Sequence, residues 1–327
     1  MAQKSSYIWP EIGNASVVEF LEKSLASGQV AQSYIFVGPA DLGKFTMALS
    51  LAANLQDHPQ GFNSDLHILD LAEGQKNISI VEVREFIKTL NLSSFNNSYK
   101  IGIIKQADLL SEGAKSALLK TLEEPQDKVV IILLSTEEEN LPATILSRSQ
   151  ILYFYPVAAT VIYDYLLKNY QLNRSLARDL ANLSLGKPLL AVKLWEKPDE
   201  YKAYLEIAEK WLDIISSEVN TRLSILNIIF KDKTWSKQAT DSARHILTIA
   251  EGLGRDLLLL HWDQPERIQH SVLADNLTQV LESLNKISEN NPVPFILKQL
   301  KLIAQARNYL DANVNPRLVL EQVIINL

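Results

Sequence analysis

Ser33-Tyr-Ile-Phe-Val-Gly38-Pro-Ala-Asp-Leu-Gly43-Lys44-Phe45-Thr46 is a short apolar run that enters a glycine-rich turn and gives way to helical periodicity through Leu55. Strand, turn and helix in that order are the setting of a phosphate-binding loop, and Gly38 to Lys44 fits the first seven positions of Gly-x-x-x-x-Gly-Lys-Ser/Thr. In such a loop backbone N–H groups wrap the phosphates at a helix N-terminus and the lysine neutralises charge. The eighth position is Phe45, and a phenyl ring cannot coordinate Mg²⁺. The candidate nucleotide-binding residues are therefore Gly38, Gly43 and Lys44, with Thr46 as the hydroxyl if it shifts into register. Such an eroded loop leaves room for weak ATP or ADP binding without hydrolysis.

Working outward, Val17 to Leu25 has helical spacing and stops at Ser27-Gly28. Asp65 to Asp70 reads as a strand, Ile80 to Leu90 as a helix, Ile101 to Ile104 as a strand covered on both faces, Glu112 to Leu122 as a helix ending before Pro125, and Val129 to Leu134 as a fourth strand. That alternation predicts a parallel sheet with right-handed crossovers, an α/β domain over residues 1–155. From Thr160 onward the pattern is helical with no strand run, broken at Gly186-Lys-Pro188, Lys197-Pro198, Asp263-Gln-Pro265 and Asn291-Pro-Val-Pro294. A small helical domain over 156–200 and a larger helical domain over 201–327 are expected.

The strand at Ile101 to Ile104 ends in Lys105-Gln106. A hydrolysing P-loop protein needs an Asp-Glu pair here, the aspartate for Mg²⁺ and the glutamate for the attacking water. An ammonium and an amide supply neither, so hydrolysis by this chain is not expected. Asp108 nearby reads as a solvated cap for the helix of residues 112–122.

Composition narrows the remaining classes. The 327 residues contain no cysteine, which excludes disulfides, thiolate zinc sites and cysteine nucleophiles, and the 47% apolar share supports packed domains. A net charge of −6 repels a phosphate backbone, so any role with nucleic acid is local or indirect. The N-terminal segment has no apolar signal core, and no uncharged apolar run reaches membrane length. His58, His67, His245, His261 and His270 have no metal-ligand spacing and read as core or solvated side chains; the five tryptophans read as packing anchors.

The stretch Tyr99-Lys-Ile-Gly-Ile-Ile-Lys-Gln-Ala-Asp-Leu-Leu-Ser111, followed by Ala114-Lys-Ser-Ala-Leu-Leu-Lys-Thr-Leu-Glu-Glu-Pro125, resembles the bacterial clamp-loader branch of the AAA+ proteins. The resemblance spans nearly the whole chain. It implies an α/β P-loop domain, a helical lid and an all-α collar through which subunits associate. Leu146-Ser147-Arg148-Ser149 resembles the family's Ser-Arg-Cys motif with serine for cysteine, which implies that Arg148 is an arginine finger reaching the ATP of the adjacent subunit. Ser135-Thr136 falls in the family's first sensor region and Gly186-Lys187-Pro188 where the lid carries a second, although a plain turn fits the latter as well. Ala306 to Glu321 resembles the end of the collar, with an Asn-Pro turn opening the last helix. Many relatives carry a four-cysteine zinc module after the position of Leu55; here Gln56 to Ser64 is short and cysteine-free, and no zinc is expected.

The implied function is a non-hydrolysing member of a cytoplasmic clamp loader, a component of the replicative DNA polymerase by assembly. Its implied partners are the ATPase and clamp-opening subunits through the collar, and the sliding clamp and primer-template DNA indirectly. No cofactor or membrane is called for. The alternatives are an active ATPase motor of the same loader, against which Lys105-Gln106 argues, and a P-loop scaffold repurposed outside replication.

Overall fold

The computed structural model describes residues 7–56, 65–72, 74–92, 99–124, 126–231, 236–288 and 291–327. They form two compact units, one running to Tyr165 and taking in Gly186–Leu189, the other made of Leu166–Leu185 and Leu190–Leu327.

The first unit contains α1 (Ala15–Ser27), β1 (Ser33–Val37), α2 (Lys44–Leu55), β2 (Leu66–Leu69), α3 (Ile80–Leu90), β3 (Lys100–Ile104), α4 (Glu112–Glu123), β4 (Val129–Ser135), α5 (Ala143–Leu146) and β5 (Gln150–Tyr153). The sheet has the order β2-β3-β4-β1-β5 and every pairing is parallel. Successive strand residues face opposite sides, so a strand buried on both faces must be apolar throughout. Tyr34 and Phe36 of β1 join Ile132 and Leu134 of β4 on one face, packed on Val17, Leu21, Met47 and Leu51 of α1 and α2. Ile35 and Val37 join Ile131 and Leu133 on the other, packed on Val83, Phe86 and Leu118 of α3 and α4. The unbroken apolar runs in the sequence follow from this double coverage.

The sequence pattern predicts four strands and the structure has five. β5 is only four residues long, begins with the exposed Gln150 and lies at the sheet edge beside β1, so it carries none of the continuous burial that marks β3 and β4.

The boundary between the units falls within α6 (Ala159–Tyr170). Beyond it come α7 (Arg174–Leu183), α8 (Pro188–Glu196), α9 (Pro198–Ile215), α10 (Val219–Ile229), α11 (Lys237–His261), α12 (Ala274–Ile287), α13 (Val293–Asp311) and α14 (Pro316–Asn326). Proline lies in the first turn of α9, α13 and α14, where its missing N–H costs no helical bond. The Asn-Pro reading at the last helix corresponds to a cap: the Asn315 side chain accepts from the Arg317 N–H at 2.9 Å.

The second unit is organised around α11, whose Ile246, Ile249, Leu253 and Leu257 are buried in one cluster with Trp211 of α9 and Ile303 of α13. A polar hub interrupts that apolar core. Asp256 of α11 is fully buried and accepts three hydrogen bonds, from the backbone N–H groups of Gln269 (2.8 Å) and His270 (2.8 Å) and from His270 Nδ1 (2.7 Å). The other ring nitrogen of His270 bonds Tyr204 Oη of α9 at 2.8 Å, and burial raises the Tyr204 pKa well above that of a free tyrosine. Next along, Ser271 donates to Asp179 of α7 at 2.8 Å. The loop approaches α11 so closely that a side chain at Gly252 would meet Gln269 Oε1 at 2.7 Å and His270 Cε1 at 2.9 Å, which explains a glycine inside a helix. His270 is thus a core histidine; His58 lies outside the described residues. Trp211 is the packing anchor expected of the tryptophans, whereas Trp262 just past the end of α11 is 58% exposed, its ring beside that of His261. No helix among the described residues is long and apolar enough to cross a membrane.

Candidate functional site

In an open parallel sheet, ligands bind outside the carboxyl ends of the strands, where the strand order turns back on itself. Here that place is β1, flanked by β4 and β5. The chain leaving β1 is the phosphate-loop sequence itself, and α2 starts from Gly43 with Lys44 as its first residue. Gly38 has φ 147°, and a Cβ there would collide with the Phe154 carbonyl oxygen on the segment after β5. The loop can leave the sheet this tightly only with a glycine. Gly38→Ala is expected to destabilise the chain by roughly 2 kcal/mol, since both a left-handed backbone and a backbone clash must be accommodated. Chemical denaturation would measure this.

Lys44 folds back on its own loop, donating to the carbonyls of Gly38 and Pro39, the latter at 2.8 Å. Burial holds its pKa below that of a free lysine, while Asp108 and Asp41 pull the other way. Asp108 does not cap α4 as the sequence suggests. The cap is Ser111, whose hydroxyl accepts from the Ala114 N–H at 3.3 Å, and Asp108 instead accepts from Thr136 Oγ1 at 3.1 Å. A capping side chain must sit at the residue before the first helical turn, and the short 3-10 turn Ala107–Leu109 pushes that position on to Ser111. Lys44, Asp108 and Thr136 therefore form one polar cluster at the carboxyl edge. Ser135 is buried and donates to the Glu137 carbonyl at 2.7 Å.

The two departures from a hydrolysing site meet in space. Lys105 Nζ lies 4.9 Å from the centroid of the Phe45 ring, a cation–π geometry, and is ion-paired with Asp70. Register brings the pair together: Leu69 lies opposite Ile104, so the next residue of each strand, Asp70 and Lys105, leaves the sheet side by side. The Lys105 ammonium thus lies between the Phe45 ring and the Asp70 carboxylate. Thr46 is exposed on the first turn of α2, and the Phe45 ring is the group that meets Lys105. Asp70 escaped sequence reasoning because it belongs to no motif; only the β2–β3 register exposes its role.

Arg148 lies elsewhere. It follows α5 and immediately precedes β5, and its neighbour Ser149 bonds Ser33 Oγ at 2.7 Å, at the start of β1. Gly38 is at the far end of that strand, five residues on, which at ~3.3 Å per residue is about 16 Å away. Arg148 and the phosphate loop are thus at opposite ends of two neighbouring strands. The guanidinium pairs with Glu123 at 2.9 Å through Nη2, and through Nη1 donates to the Thr144 carbonyl at 3.0 Å and Ser147 Oγ at 3.3 Å. Gly186-Lys187-Pro188 is a turn between α7 and α8, where the Gly186 carbonyl accepts from the Val157 N–H at 2.9 Å. Past Gln56, the short stretch in place of a zinc module lies outside the described residues until Asp65. Among the described residues, no group of three or more His, Asp or Glu side chains is arranged to hold a metal ion.

The chain is similar to several known proteins. Residues 13–158 match the family model described as DNA polymerase III, delta subunit. DNA polymerase III subunit delta-prime of Bacillus subtilis is 23% identical over 98% of this chain and 98% of its own. Subunit tau of the same organism is 31% identical, but over 42% of this chain and 27% of its own length. Among solved structures, a DNA polymerase III gamma subunit-related protein from Thermotoga maritima superposes with a TM-score of 0.50 over 93% of this chain and 97% of that one. At 17% identity this likeness is one of fold alone.

Proposed function

For a chain that resembles the delta-prime subunit of bacterial DNA polymerase III along its whole length, we propose the role of a non-hydrolysing subunit of the clamp loader that places the sliding clamp on primed DNA. In this reading the phosphate loop is a structural remnant that needs no cofactor and no zinc, and that tolerates nucleotide without turning it over. The chain is a cytoplasmic member of a hetero-oligomer. Its α/β domain (1–155) is followed by a lid (156–200) and a collar (201–327) that contacts the ATPase and clamp-opening subunits, and it meets clamp and DNA through them.

The observation that carries the reading is the separation of the two motifs. Arg148 is about 16 Å of strand away from the chain's own phosphate loop, which supports a guanidinium that serves a phosphate presented by another subunit. A guanidinium supplied in trans stabilises charge developing on a transferred phosphoryl group, which lets a subunit without a working site promote hydrolysis next door. The Lys105–Phe45–Asp70 cluster supports the other half, because it puts a cation where a hydrolysing site has its acidic pair.

The purified chain is expected to give no Mg²⁺-dependent ATP turnover above a blank, while the complex reconstituted with ATPase subunits turns over and is stimulated by primed DNA. Metal-dependent hydrolysis by the homogeneous isolated chain would overturn the proposal.

A further inference from the structure

The partner of Arg148 is unusual for its position. Glu123 is the last residue of α4, with Glu124 directly after it. Carboxylates at a helix C-terminus meet the negative end of the macrodipole and are unfavourable there unless a cation answers them. Arg148 is that cation, and both side chains are partly exposed, at 36% and 48%, so the pair can open into solvent without leaving a buried charge. The arginine's second terminal nitrogen is held by the Thr144 carbonyl and Ser147 Oγ at the end of α5. A guanidinium grips phosphate most strongly with two N–H groups in parallel, the same fork it offers a carboxylate. With Nη2 on Glu123 and Nη1 on Thr144 and Ser147, both terminal nitrogens are committed within the chain.

We propose that Glu123 is the resting latch of the finger: a positioning residue that keeps Arg148 in one orientation at the subunit surface and competes with the neighbour's phosphate for the same donors. The inference rests on the finger reading above and adds a residue that the reading does not supply. The weakness of the latch suits it to the task. Partly exposed ion pairs are worth little, so the finger is held well enough to be ordered and loosely enough to be surrendered on each engagement. Because the competent state is populated only when the latch opens, removing Glu123 increases the fraction of chains with an available finger, and the gain is one plus the latch's closing constant.

The test uses the reconstituted complex with Glu123→Gln, Arg148→Ala and the double variant, reading kcat/KM for ATP, with melting of each isolated chain as a check on folding. Glu123→Gln is expected to raise kcat/KM at the served site about two- to five-fold, the range set by an exposed pair. In the Arg148→Ala background the same change is expected to do nothing, since there is no finger to release. A merely structural Glu123 would give the same effect in both backgrounds. A Glu123→Gln complex that is no faster than the parent, while Arg148→Ala is slow, sinks the latch and leaves the finger standing. If Arg148→Ala itself leaves hydrolysis unchanged, the finger reading falls and the latch with it.

Discussion

Arg148→Ala is expected to lower ATP hydrolysis at the neighbouring site by about a thousand-fold or more, the size associated with withdrawing an arginine finger from phosphoryl transfer. On the proposed role the complex is expected to lose the share of the DNA-stimulated rate that comes from the served site and to keep the rest. Assembly is expected to survive, because the bonds the residue makes within the chain are one partly exposed ion pair and two contacts on its own turn. Such contacts are worth about 1 kcal/mol or less in total. Arg148→Lys is expected to recover little, since an ammonium keeps the charge and loses the planar fork. Steady-state hydrolysis with and without primed DNA, alongside size-exclusion of the complex, separates these effects; unchanged hydrolysis with Ala at 148 would refute the role.

Asp256→Ala is the largest stability effect expected, far from any nucleotide chemistry. The carboxylate is fully buried in the helical unit and answers two backbone N–H groups and the His270 ring. Truncation leaves all three donors buried without partners, at about 1–3 kcal/mol each, partly relieved as the loop shifts toward water. A net loss of about 4 kcal/mol is expected, which for a unit of this size lowers its melting temperature by about 10 °C. Asp256→Asn, which keeps the shape and one acceptor oxygen, is expected to cost about half as much. The effect should exceed that of a single surface change because the hub fastens three helices at once: α11 through Asp256, α9 through Tyr204 and α7 through Ser271. Calorimetry would show the loss; an alanine variant melting within 2 °C of the parent would mean that the loop is not held by this carboxylate.

The contrast between these two residues shows what a linear pattern can carry. Arg148 could be proposed from the sequence because it sits in a short motif, Leu146-Ser147-Arg148-Ser149, that resembles a family motif. Asp256 could not, because it belongs to no motif and its partners are 13 and 14 residues away across a loop. The same holds for Asp70 and Glu123, each of which acquires its partner only through strand register or helix end. Asp108 was misread for a related reason, since the cap of α4 depends on where the preceding turn lets the helix begin.

Periodicity by itself determined the α/β start, the helical remainder, the P-loop setting of Gly38 to Lys44 and the loss of the acidic pair at Lys105-Gln106. Those are properties of neighbours along the chain, and the backbone's two repeats, two residues in a strand and 3.6 in a helix, write them into the order of apolar side chains. Tertiary structure alone decided that β5 completes the sheet, that Lys105 settles between Phe45 and Asp70, and that Arg148 and the phosphate loop lie at opposite ends of the strands. Ion pairs and hydrogen bonds act only over a few ångströms, so they depend on which distant residues the fold makes adjacent, and no local pattern records that.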